Sequence, residues 1–251
     1  MANSNSGESA TDRFVRVLET FTPTRTTQTA TDIGRRAGLP SSTAHRIVGD
    51  LVAAGLLERD EDRRLRVGLK LWELTTRSSH ALWLREAALP FMEDVQARIG
   101  EHTQLVVLEE DSALCVERLS GASAGENITL IAGRLPLHAS SSGLVLLAYA
   151  PQQFREQVLA APLKRVGPET VTDPARLRRV LARIRETGHV IAPGTVSAVS
   201  TGVAVPLRDR TGEVIAALSV ILPRGVDPLP ALEELKAASR AIARTLGTHS
   251  R

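Results

Sequence analysis

The sequence predicts an α+β protein built from a small N-terminal domain and a larger C-terminal one. Residues 11–68 carry short amphipathic helical patterns followed by two short strands, whereas residues 100–251 mix helical periods with strands that suit a mainly antiparallel sheet. Residues 69–99 keep a helical pattern and indicate a helical linker between the two domains. Residues 1–10 are rich in Asn, Ser and Gly, and we expect a disordered tail there.

Composition sets the outer limits. The chain has 251 residues, of which 43% are hydrophobic, and this is enough apolar material for two packed cores. A net charge of +3 is weak evidence for any polyanionic partner, and the placement of the arginines matters more. The single cysteine, Cys115, lies in an apolar run and is expected to be a buried structural thiol, which leaves no cysteine cluster for a metal. No signal region and no apolar run of about 20 residues occur, so we expect a cytoplasmic protein without membrane contacts.

Two short helices are predicted before the most informative stretch. The first is marked by apolar residues at helical spacing: Phe14, Val17, Leu18 and Phe21. The second spans Thr31–Ala37 and turns outward Arg35 and Arg36. Gly38 follows directly, at the position where two helices of a helix-turn-helix are joined.

The third predicted helix, residues 42–53, has two contrasting faces. Its apolar stripe consists of Ala44, Ile47, Val48 and Leu51. Hydroxyls crowd its N-terminus, and longer polar side chains follow one turn later: Ser41, Ser42, Thr43, His45 and Arg46. Hydroxyls and free N–H groups at a helix start can bind phosphate, and an arginine can pair with a guanine edge. The pattern predicts the recognition helix of a DNA-binding helix-turn-helix, although a core helix with a solvated face would show the same stripe.

A β-hairpin is predicted directly after this helix. Leu56–Arg59 and Leu65–Val67 have the character of two short strands, and the charged segment Asp60–Arg64 forms their tip. The arginines of this wing, Arg63, Arg64 and Arg66, suit contacts with backbone phosphates. Helix, turn, helix and wing in this order indicate a winged helix.

These residues carry a resemblance to a known family. The run T-D-I-G-R-R-A-G-L-P-S-S-T-A-H-R-I-V-G-D-L-V-A-A-G-L-L-E-R, residues 31–59, resembles the N-terminal domain of IclR-type transcriptional regulators, with the core G-L-P-x-S-T-x-x-R. R-V-G-L-K-L-W-E-L at residues 66–74 is similar to their passage from wing to linker helix, and the resemblance covers nearly the whole chain. It implies double-stranded operator DNA as a partner, a homodimer or dimer of dimers, and a GAF-like C-terminal domain that binds a small-molecule effector. No cofactor is implied.

The remaining elements follow in order along the chain. Two linker helices are predicted over residues 69–77 and 81–99, the second with a kink or a break at Pro90. Strands are predicted at residues 103–119 around a turn at 110–112, and at 127–132, 189–192, 202–207 and 214–222. Helices are predicted at residues 143–149, at 174–187 with Gly188 as the C-cap residue, and after Pro228.

The best candidate for the effector site is the segment L-P-L-H-A-S-S-S-G, residues 135–143. Ser140, Ser141 and Ser142 lie where a helix begins, so their hydroxyls and the first free N–H groups could bind a carboxylate. His138 is expected to pack or to contact the ligand. Simple N-capping by one serine is the alternative. The resemblance implies small organic acids or aromatic compounds as effectors.

A second pocket segment follows by alignment with the family on Gly188 and Pro206. The family's acidic pocket position then falls on Ala192 and its thiol position on Gly202, so we expect a less acidic pocket here. The polar positions that remain are Thr201 and Ser219, with Ser200 beside them.

Enzyme classes find little support in the sequence. His138 lies near serines, but there is no G-x-S-x-G elbow, no P-loop, no G-x-G-x-x-G and no H-E-x-x-H. We therefore predict a non-enzymatic, sequence-specific DNA-binding regulator whose operator affinity is controlled by an effector. The alternative is a GAF-like ligand-binding or enzymatic protein whose winged helix contacts other proteins. Effector identity, target genes, and repression versus activation stay open.

Overall fold

The chain divides into two units, Met1–Ser79 and His80–Arg251. The computed structural model describes residues 9–121, 124 and 127–248. Most of the tail that we expected to be disordered, residues 1–8, lies outside the described residues. Ser9 and Ala10, its last two residues, belong to the start of a helix instead: the Ser9 hydroxyl accepts a hydrogen bond from the Asp12 N–H, and the Asp12 carboxylate accepts one from the Ser9 N–H.

The N-terminal unit has the predicted order of helices and strands. Its elements are α1 (Ala10–Glu19), α2 (Ala30–Arg36), α3 (Ser41–Ala53), β1 (Leu57–Arg59), β2 (Leu65–Val67) and α4 (Leu69–Ser78). Strands β1 and β2 pair antiparallel, and Gln28 adds a bridge to Leu65. The helix-turn-helix and its wing are therefore present as the sequence predicts.

The core of this unit forms between the helices and the hairpin. Val17, Ile33, Ile47 and Leu65 are each at most 1% exposed and pack in one cluster. Gly34 lets the two helices approach closely, since a Cβ atom there would lie 2.8 Å from the Cβ atom of Ala44. This packing holds α3 at a fixed angle and turns its polar face to solvent.

The C-terminal unit contains one mixed arrangement of helices around a sheet. Its strands are β3 (His102–Glu109), β4 (Ser112–Leu119), β5 (Arg134–Pro136), β6 (Val190–Pro193), β7 (Ser200–Arg208) and β8 (Val214–Pro223). Its helices are α5 (His80–Ile99), α6 (Ser141–Tyr149), α7 (Gln152–Ala160), α8 (Pro174–Thr187) and α9 (Leu229–Thr248). The described strands form one sheet in the order β5-β4-β3-β8-β7-β6, and every neighbouring pair is antiparallel.

The two faces of the sheet are covered by different helices. Leu105, Val203 and Leu218 face one side and pack in a cluster with residues of α5 and α9. Val106, Ala204 and Ala217 face the other side and pack with residues of α6 and α8. Because side chains alternate along a strand, adjacent residues of β3, β7 and β8 serve opposite layers.

Three expectations for this unit are wrong or incomplete. Residues 127–132 do not form a strand: Ala132 has a left-handed φ of 61° and its N–H bonds to the Cys115 carbonyl, while β5 begins two residues later. α5 runs through Pro90 without a break, held by the packing of buried residues on both sides of it, such as Ala88 and Met92. Helix α7 was not predicted at all.

The predicted C-cap of α8 is confirmed, since Gly188 has a φ of 71° and its N–H bonds to the Ile184 carbonyl. Within the described residues, no helix is long and apolar enough to cross a membrane.

Candidate functional site

Helix α3 separates its two faces as its sequence predicts. Ala44, Ile47, Val48 and Leu51 are at most 3% exposed. On the outer face, Arg46 is 60% exposed and pairs with Asp50, with 3.1 Å between Nη1 and Oδ2. An exposed pair of this kind is worth about 0.5 kcal/mol, so Arg46 can exchange it for another acceptor at little cost.

The N-terminus of α3 has no side-chain cap. Pro40 occupies the cap position, and it has no side-chain oxygen with which to accept a hydrogen bond. The first intrahelical bond runs from the Ala44 N–H to the Pro40 carbonyl, so the N–H groups of the preceding turn, at Ser41, Ser42 and Thr43, lie before the helical ladder. Such a turn offers several aligned donors to an anion.

The wing hairpin places its arginines differently from one another. At the tip, Arg63 has a left-handed φ of 58°, and the Asp60 carboxylate fixes the turn by accepting from the Arg64 N–H at 2.8 Å. The Arg64 guanidinium donates to the Thr27 carbonyl at 3.2 Å. The tip of the wing is thus tied to the loop before α2.

Arg66 is engaged within the unit. Its guanidinium lies 3.2 Å from the carboxylate of Glu58, which also accepts from the Leu69 N–H at 2.9 Å. The Leu69 N–H and the Arg66 guanidinium hold the pKa of Glu58 below its usual value. Of the three predicted wing arginines, Arg66 therefore has the strongest internal partner, and a DNA phosphate would have to compete with the Glu58 carboxylate for it.

A cavity in the C-terminal unit brings the predicted effector segments together. It encloses about 550 Å³ of space not filled by atoms, including its opening to solvent. Of the predicted residues, Ser140, Ser141, Ser142, Ala192, Ser200 and Gly202 line it. The rest of its lining is Gln104, Asn127, Ile128, Thr129, Leu135, Thr195, Val196, Ser197 and Ile221.

Three predicted residues are not part of that lining. The ring Nε2 of His138 lies 2.8 Å from the Lys164 carbonyl, outside the cavity. Thr201 shares a sheet face with Val203, on the side of α5 and α9, because it directly precedes Gly202 on β7. Ser219 is fully buried and reaches the cavity through Ser142, whose hydroxyl donates to the Ser219 hydroxyl at 2.8 Å.

The serines at the start of α6 have different tasks. Ser140 caps the helix: its hydroxyl accepts from the Gly143 N–H and donates to the Pro136 carbonyl, each at 3.1 Å. Ser141 instead packs against the sheet, where a Cβ atom on Gly202 would lie only 2.5 Å from its hydroxyl oxygen. Capping therefore accounts for one serine and leaves the other two hydroxyls to the cavity and to β8.

The cavity lining combines polar and apolar side chains and carries no charged side chain among the residues described. This agrees with the expected loss of acidic groups. Sequence reasoning missed Gln104 and Asn127, whose side-chain nitrogens are buried without a hydrogen-bond partner in the described part of the chain. The available signal was a glutamine directly before the apolar run L-V-V-L of the same strand.

Reactive groups are not concentrated at the cavity. Cys115 is buried, and burial raises the pKa of its thiol to about 11, so it stays protonated at neutral pH. Among the described residues no three His, Cys, Asp or Glu side chains gather as metal ligands would.

Comparisons with known proteins agree with this architecture. The model of the IclR helix-turn-helix domain matches residues 10–61, and that of the bacterial transcriptional regulator IclR C-terminal domain matches residues 76–247. The chain is 28% identical over 242 residues to the HTH-type transcriptional regulator XynR of Escherichia coli, covering 94% of this chain and 96% of the relative. It is 30% identical to BhcR of Paracoccus denitrificans over 227 residues, or 88% and 80% of the two chains.

A solved structure is closer still. An IclR homolog from Microbacterium hydrocarbonoxydans, crystallised with 4-hydroxybenzoate, is 56% identical and superimposes with a TM-score of 0.91, over 95% of this chain and 99% of that one. The winged helix, the lined cavity and these matches identify the chain as a member of the IclR family, a DNA-binding transcriptional regulator with an effector-binding C-terminal domain.

Proposed function

We propose that this regulator binds a small aromatic carboxylate of the 4-hydroxybenzoate type in the cavity beside α6, and that this binding changes its affinity for an operator. The observation that carries the proposal is the cavity itself, where the hydroxyl-rich first turn of a helix faces apolar side chains such as Leu135 and Ile221. A ring suits the apolar wall and a carboxylate suits the helix N-terminus. The 56% identical homolog crystallised with 4-hydroxybenzoate supports the same ligand class.

On the DNA side, Arg46 would read a base and the start of α3 would position the protein on the phosphate backbone. Arg46 is exposed and weakly paired with Asp50, and a bidentate contact with guanine is the most favourable contact that could replace this pair. The uncapped first turn, with Ser41, Ser42 and Thr43, would bind a phosphate, and His45 lies on the same exposed flank. Arg63, Arg64 and Arg66 of the wing would add affinity that depends on salt and little on sequence.

The partners complete the proposal. Helix α4 exposes apolar side chains, with Leu69 69% and Trp72 65% exposed, which supports burial against a second copy of the chain. A homodimer, or a dimer of dimers, would present two recognition helices to half-sites about one helical turn or more apart. Effector binding must then favour one arrangement of those helices, because a ligand shifts only states for which its affinity differs.

The direct test is fluorescence anisotropy of the full chain with DNA from its own upstream region and with scrambled DNA, across a salt series. We expect a clear preference for the upstream DNA and a change in that affinity when 4-hydroxybenzoate is added. Equal, weak binding to both DNAs that disappears at moderate salt would contradict operator reading and favour a winged helix that contacts proteins.

The ligand site has its own test. Replacing Ser140, Ser141 and Ser142 together by alanine should abolish the thermal stabilisation that 4-hydroxybenzoate confers. Unchanged stabilisation would remove the start of α6 from the site.

A further inference from the structure

Two side-chain amide nitrogens at the cavity are hydrogen-bond donors that no described residue accepts from. Gln104 Nε2 and Asn127 Nδ2 are buried, and neither has a partner within the described residues. Both residues line the cavity. A buried donor without a partner is costly, and in native proteins such a group is normally satisfied by protein, water or ligand. Two of them at one cavity point to a ligand with acceptor atoms.

Strand geometry turns Gln104 to the ligand side of the sheet. Gln104 is 1% exposed and lies on the same face of β3 as Val106, which packs with the α6 layer. In the β3–β8 register it is directly opposite Ser219, the residue that accepts the hydrogen bond of Ser142. The free amide N–H of Gln104 is therefore on the sheet next to the first turn of α6.

Asn127 approaches from the loop. Its Oδ1 accepts a hydrogen bond from the Thr129 N–H at 2.9 Å, which fixes the orientation of the amide and leaves Nδ2 as the group without a partner. The loop is held in turn by Arg118, whose guanidinium donates to the Thr129 carbonyl. The second donor is thus preoriented by a contact within its own loop, and that loop is held by Arg118 of β4.

These groups have a common chemistry. Both are neutral N–H donors, the hydroxyls of Ser141 and Ser142 lie beside them, and no cation lines the cavity among the described residues. Such a set recognises an acceptor by hydrogen bonds and by the helix N-terminus, without an ion pair. A carboxylate, with two oxygens that accept in several directions, fits this set better than a hydroxyl, which has one oxygen.

We propose that Gln104 is a specificity-determining residue: its amide N–H donates to the carboxylate of the effector beside the first turn of α6, and Asn127 supplies a second donor from the loop. This inference rests on the proposed function, since it assumes an aromatic carboxylate in the cavity. Beyond that function, it names Gln104 and Asn127 as the side chains that distinguish the acid from the same ring without a carboxylate. A site built around buried donors rejects ligands that leave those donors unpaired.

The test is calorimetric titration of the full chain with 4-hydroxybenzoate and with 4-methylphenol, which has a methyl group where the acid has its carboxylate. The wild type should prefer the acid. Gln104→Leu should weaken binding of the acid roughly 10- to 100-fold, the cost of a hydrogen bond to a charged group, and change binding of 4-methylphenol by less than about threefold. Gln104→Glu, which keeps the shape and adds a negative charge, should weaken only the acid and decides the question if the leucine variant does not fold.

Thr103→Val is the matched control. Thr103 precedes Gln104 on β3 and is also buried, and its hydroxyl has no hydrogen-bond partner among the described residues. It faces the α5 and α9 side of the sheet and does not line the cavity. Its replacement should leave both affinities unchanged.

Other outcomes have distinct meanings. If Gln104→Leu binds the acid as the wild type does, or loses both ligands equally, Gln104 does not recognise the carboxylate and the inference is overturned while the effector class stands. If the wild type binds neither ligand, the proposed effector class fails, and the inference that depends on it is overturned with it.

Discussion

Two helices of this protein begin with nearly the same residues but differ in burial and in capping. Helix α3 follows Pro40 and starts with S-S-T, whereas α6 starts with S-S-G after Ser140. The start of α3 is exposed and has no side-chain cap. The start of α6 is buried, with Ser141 4% and Ser142 1% exposed, and Ser140 caps it.

If the proposed assignments hold, burial and not residue type selects the partner of each helix start. An exposed, uncapped turn presents donors to something large that approaches from outside, such as a phosphate backbone. A buried turn beside a cavity can reach only a molecule small enough to enter. Both helix starts are proposed anion sites, and their different burial would decide whether the anion is a polymer or a metabolite.

The largest effect should come from Arg46→Ala on the exposed helix. The loss of a bidentate base contact removes about 1–3 kcal/mol of discrimination per half-site, and a two-fold dimer counts it twice. Anisotropy with upstream and scrambled DNA measures the loss. Arg178→Ala, which removes another exposed, paired arginine in the C-terminal unit, is the control of equal charge and should change neither affinity. If the Arg46→Ala variant still preferred upstream DNA over scrambled DNA as the wild type does, Arg46 would not be the residue that reads the bases.

Glycine substitutions extend the comparison to packing. Gly202→Ala places a Cβ atom against Ser141 in the cavity, so the free energy of unfolding should fall by about 1–3 kcal/mol and effector binding should be lost. Gly49→Ala, on the exposed face of α3, meets nothing within 4 Å and should stabilise that helix by about 0.5–1 kcal/mol. Thermal unfolding and ligand titration of both variants check this, and equal behaviour would mean that the cavity wall yields easily.

Removal of a serine hydroxyl should change the free energy of unfolding differently at the two helix starts, by a smaller amount than the glycine substitutions. Ser140→Ala deletes a side-chain cap and should lower the free energy of unfolding by about 1 kcal/mol. Ser41→Ala removes no cap from α3 and should stay within about 0.5 kcal/mol. Thermal unfolding of the two variants, each without ligand or DNA, measures the difference. A larger loss for Ser41→Ala would show a stabilising contact at the exposed turn.

The smallest effect concerns the wing. Arg63→Ala should make the slope of log affinity against log salt less negative by about 1 for each wing on the DNA, the value expected for one phosphate contact. Arg66→Ala should change it less, because Arg66 already pairs with Glu58. The same anisotropy series gives both slopes. Equal slopes for the two variants would show that the internal pair does not compete with DNA.

The exposed site was largely accessible from the sequence. The apolar stripe of α3, the turn at Gly38 and the charged tip of the hairpin all depend on residues close together in the chain, so local periodicity was enough. The pairing of Arg66 with Glu58 was not predicted, because it depends on which strand positions lie opposite each other. Register follows from the fold and not from composition.

The cavity was accessible only in part. The resemblance pointed to the start of α6 and to Ala192 and Gly202, and these residues do line the cavity. Gln104 lies on β3, far in sequence from the start of α6. Asn127 lies in a segment whose alternating pattern suggested a strand, but the left-handed backbone at Ala132 is not that of a strand. Alternation also decides between neighbours, which is why Thr201 faces the other layer.

The close approach of Gly202 to Ser141 has a consequence for how this pocket can change over time. The resemblance assigns a thiol to position 202, and any side chain there collides with the serine of α6. We therefore expect the two positions to be epistatic: introducing a cysteine at 202 should be tolerated only together with a smaller residue at 141, and either change alone should be unfavourable. A relative whose effector specificity changed by substitution at position 202 would also need a substitution at position 141. Positions 141 and 202 are therefore expected to covary among relatives.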